Sequence, residues 1–394
     1  MYFAFLPIRI LNNCILLPIE AESQDTALRI FSTLNDRGKP LSDADIFKAQ
    51  FYRYYSDKGE KDTFIKRWKD LEAICEKIFS PASGSPLDEL FTRYMYYVRA
   101  KQGNKKTTTE ALRKFYEKNK YSLLKNDDTL GNLEDLAKFW LDVDNQDVDV
   151  FSDRVLRKLF VLNYAPNGMW TYLTSVFYMQ NRDEEGNLDE ELFYDFLNTM
   201  TAFIWAYAIL RPGVNALRTP AYPEMIKIVN GEKVDFADYK FNYETTKKAI
   251  ENYMFSNGRP ITKSMLAWWA FNHEKQKLFK IDEKLEIEHI YARKRQELEK
   301  GLLDSKNLDS LGNKVLLEKN INIRAADYKF VDKTRYYKGF TTDKGKEKEG
   351  TKNVELRELS SNLTDFTEED IVNRNSEIIE GFMGYLEANG LLED

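Results

Sequence analysis

Leu285-Glu286-Ile287-Glu288-His289-Ile290 alternates apolar and charged residues up to one of the chain's two histidines, and Leu311-Gly312-Asn313-Lys314-Val315-Leu316-Leu317 and then Asn322 follow it. With Ile281 and Glu283, the alternation has the two-residue period of a half-buried strand. Such a strand sends Glu288 and His289 to opposite sides unless its end bends. Asn322 stands near the start of a helix expected through Tyr328, Phe330 and Val331, where open backbone N–H groups also favour anions. For a lone Glu-His pair the bland reading is a partly buried histidine beside a carboxylate. The two asparagines and Lys333 shift the balance towards a site.

The residue types suit phosphodiester hydrolysis. A neutral imidazole, with a reference pKa of about 6.5, takes a proton from water near neutrality. Hard Mg2+, or Mn2+ in its place, prefers carboxylate and amide oxygens and keeps several waters, so one carboxylate and one asparagine suffice beside a substrate phosphate. The expected roles are His289 as general base, Glu288 and Asn322 as metal ligands, and Asn313 as a brace on the loop carrying His289. Asn320 rivals Asn322, and His273 reads as a surface or helix-end residue. Arg293, Lys294, Arg295 and Lys333 are candidates for flanking phosphates, against the simpler readings of a solvated charge run and of neutralised carboxylates.

Working outward, 394 residues with 43% hydrophobic and 14% aromatic content are enough for two or three cores and argue against disorder. No apolar run is long enough to cross a bilayer. Cys14 and Cys75 imply neither a disulfide framework nor a thiolate zinc site, and a reducing cytoplasm fits. The net charge of −6 does not advertise nucleic-acid binding, yet residues 286–352 hold 16 Lys/Arg against 12 Asp/Glu. That local excess allows a phosphate-facing surface in the last third.

Residues 8–20 read as strand, turn and strand around Asn12-Asn13, followed by a helix over 24–34. Ser42 and Asp45 form a capping-box pattern opening a helix through Phe47, Phe51 and Tyr54. From 63 to 256 helical stripes alternate with polar breaks near 80–86, 103–106, 181–186 and 211–215. A strongly apolar helix is expected over 261–271, a solvated loop over 341–352, and an amphipathic helix over 367–386.

Residues 286–337 resemble the HNH, or His-Me finger, nuclease module: Glu288-His289-Ile290, then Gly312 to Leu317, Asn322, Phe330-Val331-Asp332-Lys333 and Tyr336-Tyr337. The resemblance is greatest to the C-terminal domain of GmrSD-like modification-dependent restriction proteins, in which this module follows a ParB-like domain. Ala27 to Phe31, then Leu34-Asn35-Asp36-Arg37-Gly38 and Leu41 to Lys48, resemble the end of that ParB-like domain, with Asn35, Arg37, Gly38, Asp45 and Lys48 carrying its motif. Phe366, Ile371 and Arg374 match a C-terminal pattern. The resemblance implies a Mg2+-dependent DNA endonuclease of phage-defence type with the four roles given above.

Two features depart from the family. Ile290-Tyr291-Ala292-Arg293 lacks the usual proline, and the early motifs tied to nucleotide binding are missing, which implies a truncated N-terminus and no intact nucleotide site. An upstream ParB-like or NTPase partner in trans, or a subunit that binds DNA or a partner without cutting, are the alternatives. The expected fold is mainly α: an α/β remnant over 1–57, a helical bundle or array over 58–257, and a ββα-metal module with a C-terminal helix over 258–394.

Overall fold

The computed structural model describes residues 42–393 except 83, 214, 215, 327 and 328, and before residue 42 only Pro7, Arg9, Asn12, Glu20, Glu22, Thr26 and Ile30. Arg9 and Asn12, in the expected strand and turn, are helical rather than extended. Thr26 and Ile30 are helical as expected, and the rest of that reading lies outside the described residues.

The protein is mainly α. Helix α1 (Asp43–Asp57) opens on the Ser42/Asp45 capping box, each partner satisfying the other's backbone N–H. Phe47 and Phe51 of α1 pack on Phe91 of α3 (Pro86–Lys101), and Phe51 meets Trp68 of α2 (Lys61–Ile78). Helix α1, placed by the sequence reading with the N-terminal remnant, thus belongs to the helical core. The array continues through α4 (Leu112–Tyr121), α5 (Asp127–Asp144), α6 (Asp153–Leu162), α7 (Met169–Asn181), α8 (Glu190–Leu210), α9 (Arg218–Val229) and α10 (Tyr243–Glu251). Helix α8 is apolar nearly all round from Phe193 to Ile209, the pattern of a helix enclosed by others, and those residues are largely buried.

Helix α11 (Pro260–Phe271) leads to strand β1 (Leu285–His289), shorter than the alternation from Ile281 suggests. Strand β1 pairs antiparallel with β2 (Lys314–Glu318), from Leu285 opposite Glu318 to His289 opposite Lys314. Between them lies α12 (Arg293–Glu299), and after β2 come α13 (Lys319–Ala325) and α14 (Phe330–Lys338). The single helix expected to carry Asn322 and Phe330 is therefore two, broken where Ala326 takes φ 45°, a conformation an alanine cannot hold inside a right-handed helix.

The hairpin is buried on both faces. Leu285, Ile287 and Leu316 pack with the helical array, and Val315 and Leu317 pack with Ile290, Ile321, Phe330 and Tyr337. Each buried aliphatic side chain contributes about 1.5–3 kcal/mol, so this sandwiching fixes the register. The stretch expected as a loop over 341–352 instead holds a second hairpin, β3 (Gly339–Thr341) with β4 (Glu347–Glu349). Helices α15 (Val354–Asn362) and α16 (Glu368–Ala388) close the chain, and no described helix is long and apolar enough to cross a membrane.

Candidate active site around His289

His289 ends β1 opposite Lys314, and directly opposed residues of an antiparallel pair share a face. The Lys314 side chain is fully buried and donates to the Phe255 carbonyl and, at 2.8 Å, to Asp309 Oδ1. The same oxygen lies 3.4 Å from His289 Nε2 and accepts from Arg293 Nη2 at 3.0 Å. Arg293 Nε is also 3.4 Å from His289 Nε2. A bare Nε2 accepts from Arg293 and a protonated one donates to Asp309, so the tautomer decides which contact is made.

Electrostatics keep the imidazole neutral. Burial, then the charges of Lys314 and Arg293, push its pKa down to about 4, with Asp309 opposing. Burial alone would raise Asp309, but Lys314, His289 and Arg293 outweigh it and hold the carboxyl at about 2. Because the native His289 pKa is depressed, the unfolded chain takes up a proton first as pH falls below about 6.5. Stability should therefore drop between about pH 6.5 and 4. Urea titrations at pH 7.5 and 5.0 should show the wild type losing roughly 2 kcal/mol more than His289→Gln; equal losses would contradict a buried neutral imidazole.

Asn313 is fully buried and extends the ladder beyond β1. Its Oδ1 accepts from the Tyr291 N–H at 2.7 Å, its Nδ2 donates to the Tyr291 and Leu308 carbonyls, and its own carbonyl accepts from Ile290. Three hydrogen bonds of Asn313 thus tie Ile290 and Tyr291, just after His289, to the segment before Lys314, so the imidazole stands on a rigid base.

Glu288 points to the other face of the strand. Its Oε1 accepts from Lys333 Nζ at 2.6 Å and from the Tyr337 hydroxyl at 2.6 Å, and Lys333 also donates to the His289 carbonyl at 2.7 Å. Burial and the Glu288 charge push the Tyr337 hydroxyl well above its ordinary pKa, so it stays a donor. Asn322 lies on α13, and its Nδ2 donates to Glu286 Oε2 at 2.9 Å. The pair implied as metal ligands therefore does not fit a divalent ion as it stands. A buried ammonium already neutralises Glu288, and Asn322 engages a different carboxylate. Among the described residues no three of His, Cys, Asp and Glu gather as a metal cradle.

The phosphate candidates divide by exposure. Arg293 and Lys294 have half-exposed side chains. Arg295 is turned inward, bidentate to Asp365 at 2.7 Å for each bond and stacked on the Tyr291 ring. Lys333 is 1% exposed with two internal acceptors, so an incoming phosphate does not reach it while the pair is closed. Of the N-terminal motif, Asn35, Arg37 and Gly38 lie outside the described residues, Asp45 caps α1, and Lys48 pairs with Glu72 at 3.8 Å.

Sequence reasoning missed Asp309, which sits in no motif, and the partnership of Lys314 with His289. The latter follows only once the register of β1 on β2 is known.

Fold and site together define a mainly α protein with a β-β-α unit presenting a buried histidine at a strand end. Residues 235–380 match the family described as GmrSD restriction endonucleases, C-terminal domain, so this region of the chain is similar to a restriction endonuclease C-terminal domain. No curated protein matches the chain.

Proposed function

We propose that the chain is a DNA endonuclease that hydrolyses phosphodiester bonds, with His289 as general base. The observation that carries this reading is the neutral imidazole fixed at the end of β1 by Asn313 and flanked by Arg293, inside the region that matches a restriction endonuclease domain. Water attacks phosphorus as its proton passes to the imidazole, the P–O bond to the leaving sugar oxygen breaks and that oxygen takes a proton from solvent, and Arg293 relieves charge on the phosphoryl oxygens. A phosphate that draws Arg293 away from Nε2 also removes one of the charges depressing the histidine, which moves its pKa towards the range useful for a base. A divalent ion such as Mg2+ could use Glu288 only after Lys333 withdraws.

The test is plasmid nicking by wild type and His289→Ala with Mg2+ or Mn2+, on modified and unmodified DNA. Loss of about 10²–10⁴-fold in rate with an unchanged circular-dichroism spectrum is expected. Undiminished cleavage by the variant would sink the assignment. Salt-sensitive DNA binding without cleavage by the wild type would favour a non-cutting subunit instead.

A further inference from the structure

A cavity of about 270 Å³ opens away from His289, between α6, α8 and α11, with Arg154, Arg157, Lys158, Tyr194, Trp268 and Asn272 among its walls. Residues 154, 157, 158 and 161 recur at helical spacing, so one face of α6 supplies three cations to it. The two arginines already sit in ion pairs, half-buried Arg157 with Asp153 at 2.6 Å and the more exposed Arg154 with Glu190 at 2.6 Å and with Glu191. Pairs of this kind are worth little and rearrange cheaply.

Lys158 differs. Its Nζ donates to one protein group, the Tyr385 hydroxyl at 3.1 Å, and otherwise faces the rings of Tyr385 and Tyr194 at 4.5 and 6.0 Å. Among the described residues no carboxylate pairs with it. Burial pushes its pKa down to about 8, the response of an ammonium taken out of water without a counter-charge. Trp268 likewise has no acceptor for its indole N–H among the described residues. An ammonium with one neutral acceptor and no paired carboxylate thus faces a cavity with aromatic walls. Ammonium and indole N–H groups can only donate, so a ligand here must accept, and an ammonium without a paired carboxylate favours an oxyanion over a neutral acceptor.

We propose that this cavity binds a small phosphorylated ligand, one phosphate oxygen being held by Lys158 and any attached ring resting on the aromatic walls. The volume suits inorganic phosphate or a mononucleotide. The site is separate from His289 and does not depend on the nuclease reading.

Calorimetric titration of the whole chain with inorganic phosphate, AMP and adenosine tests it. Phosphate and AMP should bind saturably below about 10 mM, with affinity at least about tenfold weaker in Lys158→Met, and adenosine should bind far more weakly than AMP. If Lys158→Met does not fold, reductive ¹³C-methylation of wild type supplies a second readout, because the Lys158 signal should titrate to higher pH when phosphate is present. Absence of saturable phosphate or AMP binding, unchanged affinity in a folded Lys158→Met, adenosine binding as tight as AMP, or a Lys158 signal indifferent to phosphate would each overturn the proposal.

Discussion

Lys333→Met is expected to lower the unfolding free energy by roughly 3–5 kcal/mol, the range found when one partner is stripped from a buried ion pair. The Lys333 and Glu288 side chains are only 1% and 7% exposed. Removing the ammonium leaves the carboxylate inside without its counter-charge and deprives the His289 carbonyl of its donor. Solvent cannot replace either partner under α14, so the loss is not softened as it would be at the surface. Glu288→Gln/Lys333→Met removes both charges, and replacing a buried pair as a unit is often neutral, so the double variant should regain most of the stability. Urea denaturation of the single and double variants measures this. A loss below about 1 kcal/mol in Lys333→Met would contradict the buried pair. A folded variant of native stability that binds DNA weakly would instead show a lysine that meets phosphate. Because the pair spans the strand that ends in His289, its disruption should also slow cleavage by disordering the base.

The elements legible in the sequence were those with a local cause. Ser42 and Asp45 announce the start of α1 because a capping box needs only four residues, and the buried stripe of α16 follows from Ile371, Ile378, Ile379 and Phe382. Strand β1 was overextended because alternation says which residues suit a strand and not where a partner exists. The ladder ends at Leu285 opposite Glu318, so Ile281 and Glu283 have nothing to pair with and turn instead. The hairpin β3–β4 was missed because its charged residues carry no apolar alternation. At the site, His289 and Asn313 were recognisable from their spacing. Their neighbours were not, since Asp309 and Lys314 reach the imidazole through register and tertiary packing, and Asn322 meets Glu286 rather than Glu288.

The same dependence on distant packing makes Arg374 the second critical position. Its guanidinium donates through Nη1 to the carbonyls of Leu311, Gly312 and Lys314 at 2.8–2.9 Å, and through Nε and Nη2 to both oxygens of Glu355 at 2.7 and 2.8 Å. Trp269 Nε1 adds a third donor to Glu355 at 2.8 Å. Helix α16 thus clamps the segment that carries Asn313 and Lys314, and it approaches so closely that a Cβ on Gly312 would lie 2.0 Å from the Ile371 carbonyl. Arg374→Ala takes the guanidinium from the Gly312 and Lys314 carbonyls, leaves Leu311 only the Lys314 N–H, and leaves Glu355 without its cation, so a loss of about 3–5 kcal/mol is expected in urea denaturation. The pH dependence separates this from simple loss of packing. Burial would raise the Glu355 carboxyl, but Arg374 and Trp269 hold it below its ordinary value. A depressed native pKa contributes stability that is present above the unfolded carboxyl's value of about 4.3 and disappears as pH falls through the native one. In Arg374→Ala burial acts on Glu355 without that cation, so the gap between wild type and variant should narrow as pH falls from the variant's raised carboxyl pKa to the wild type's depressed one. A gap that stays constant with pH would mean that Arg374 acts through its carbonyl contacts and aliphatic stem rather than through its charge on Glu355.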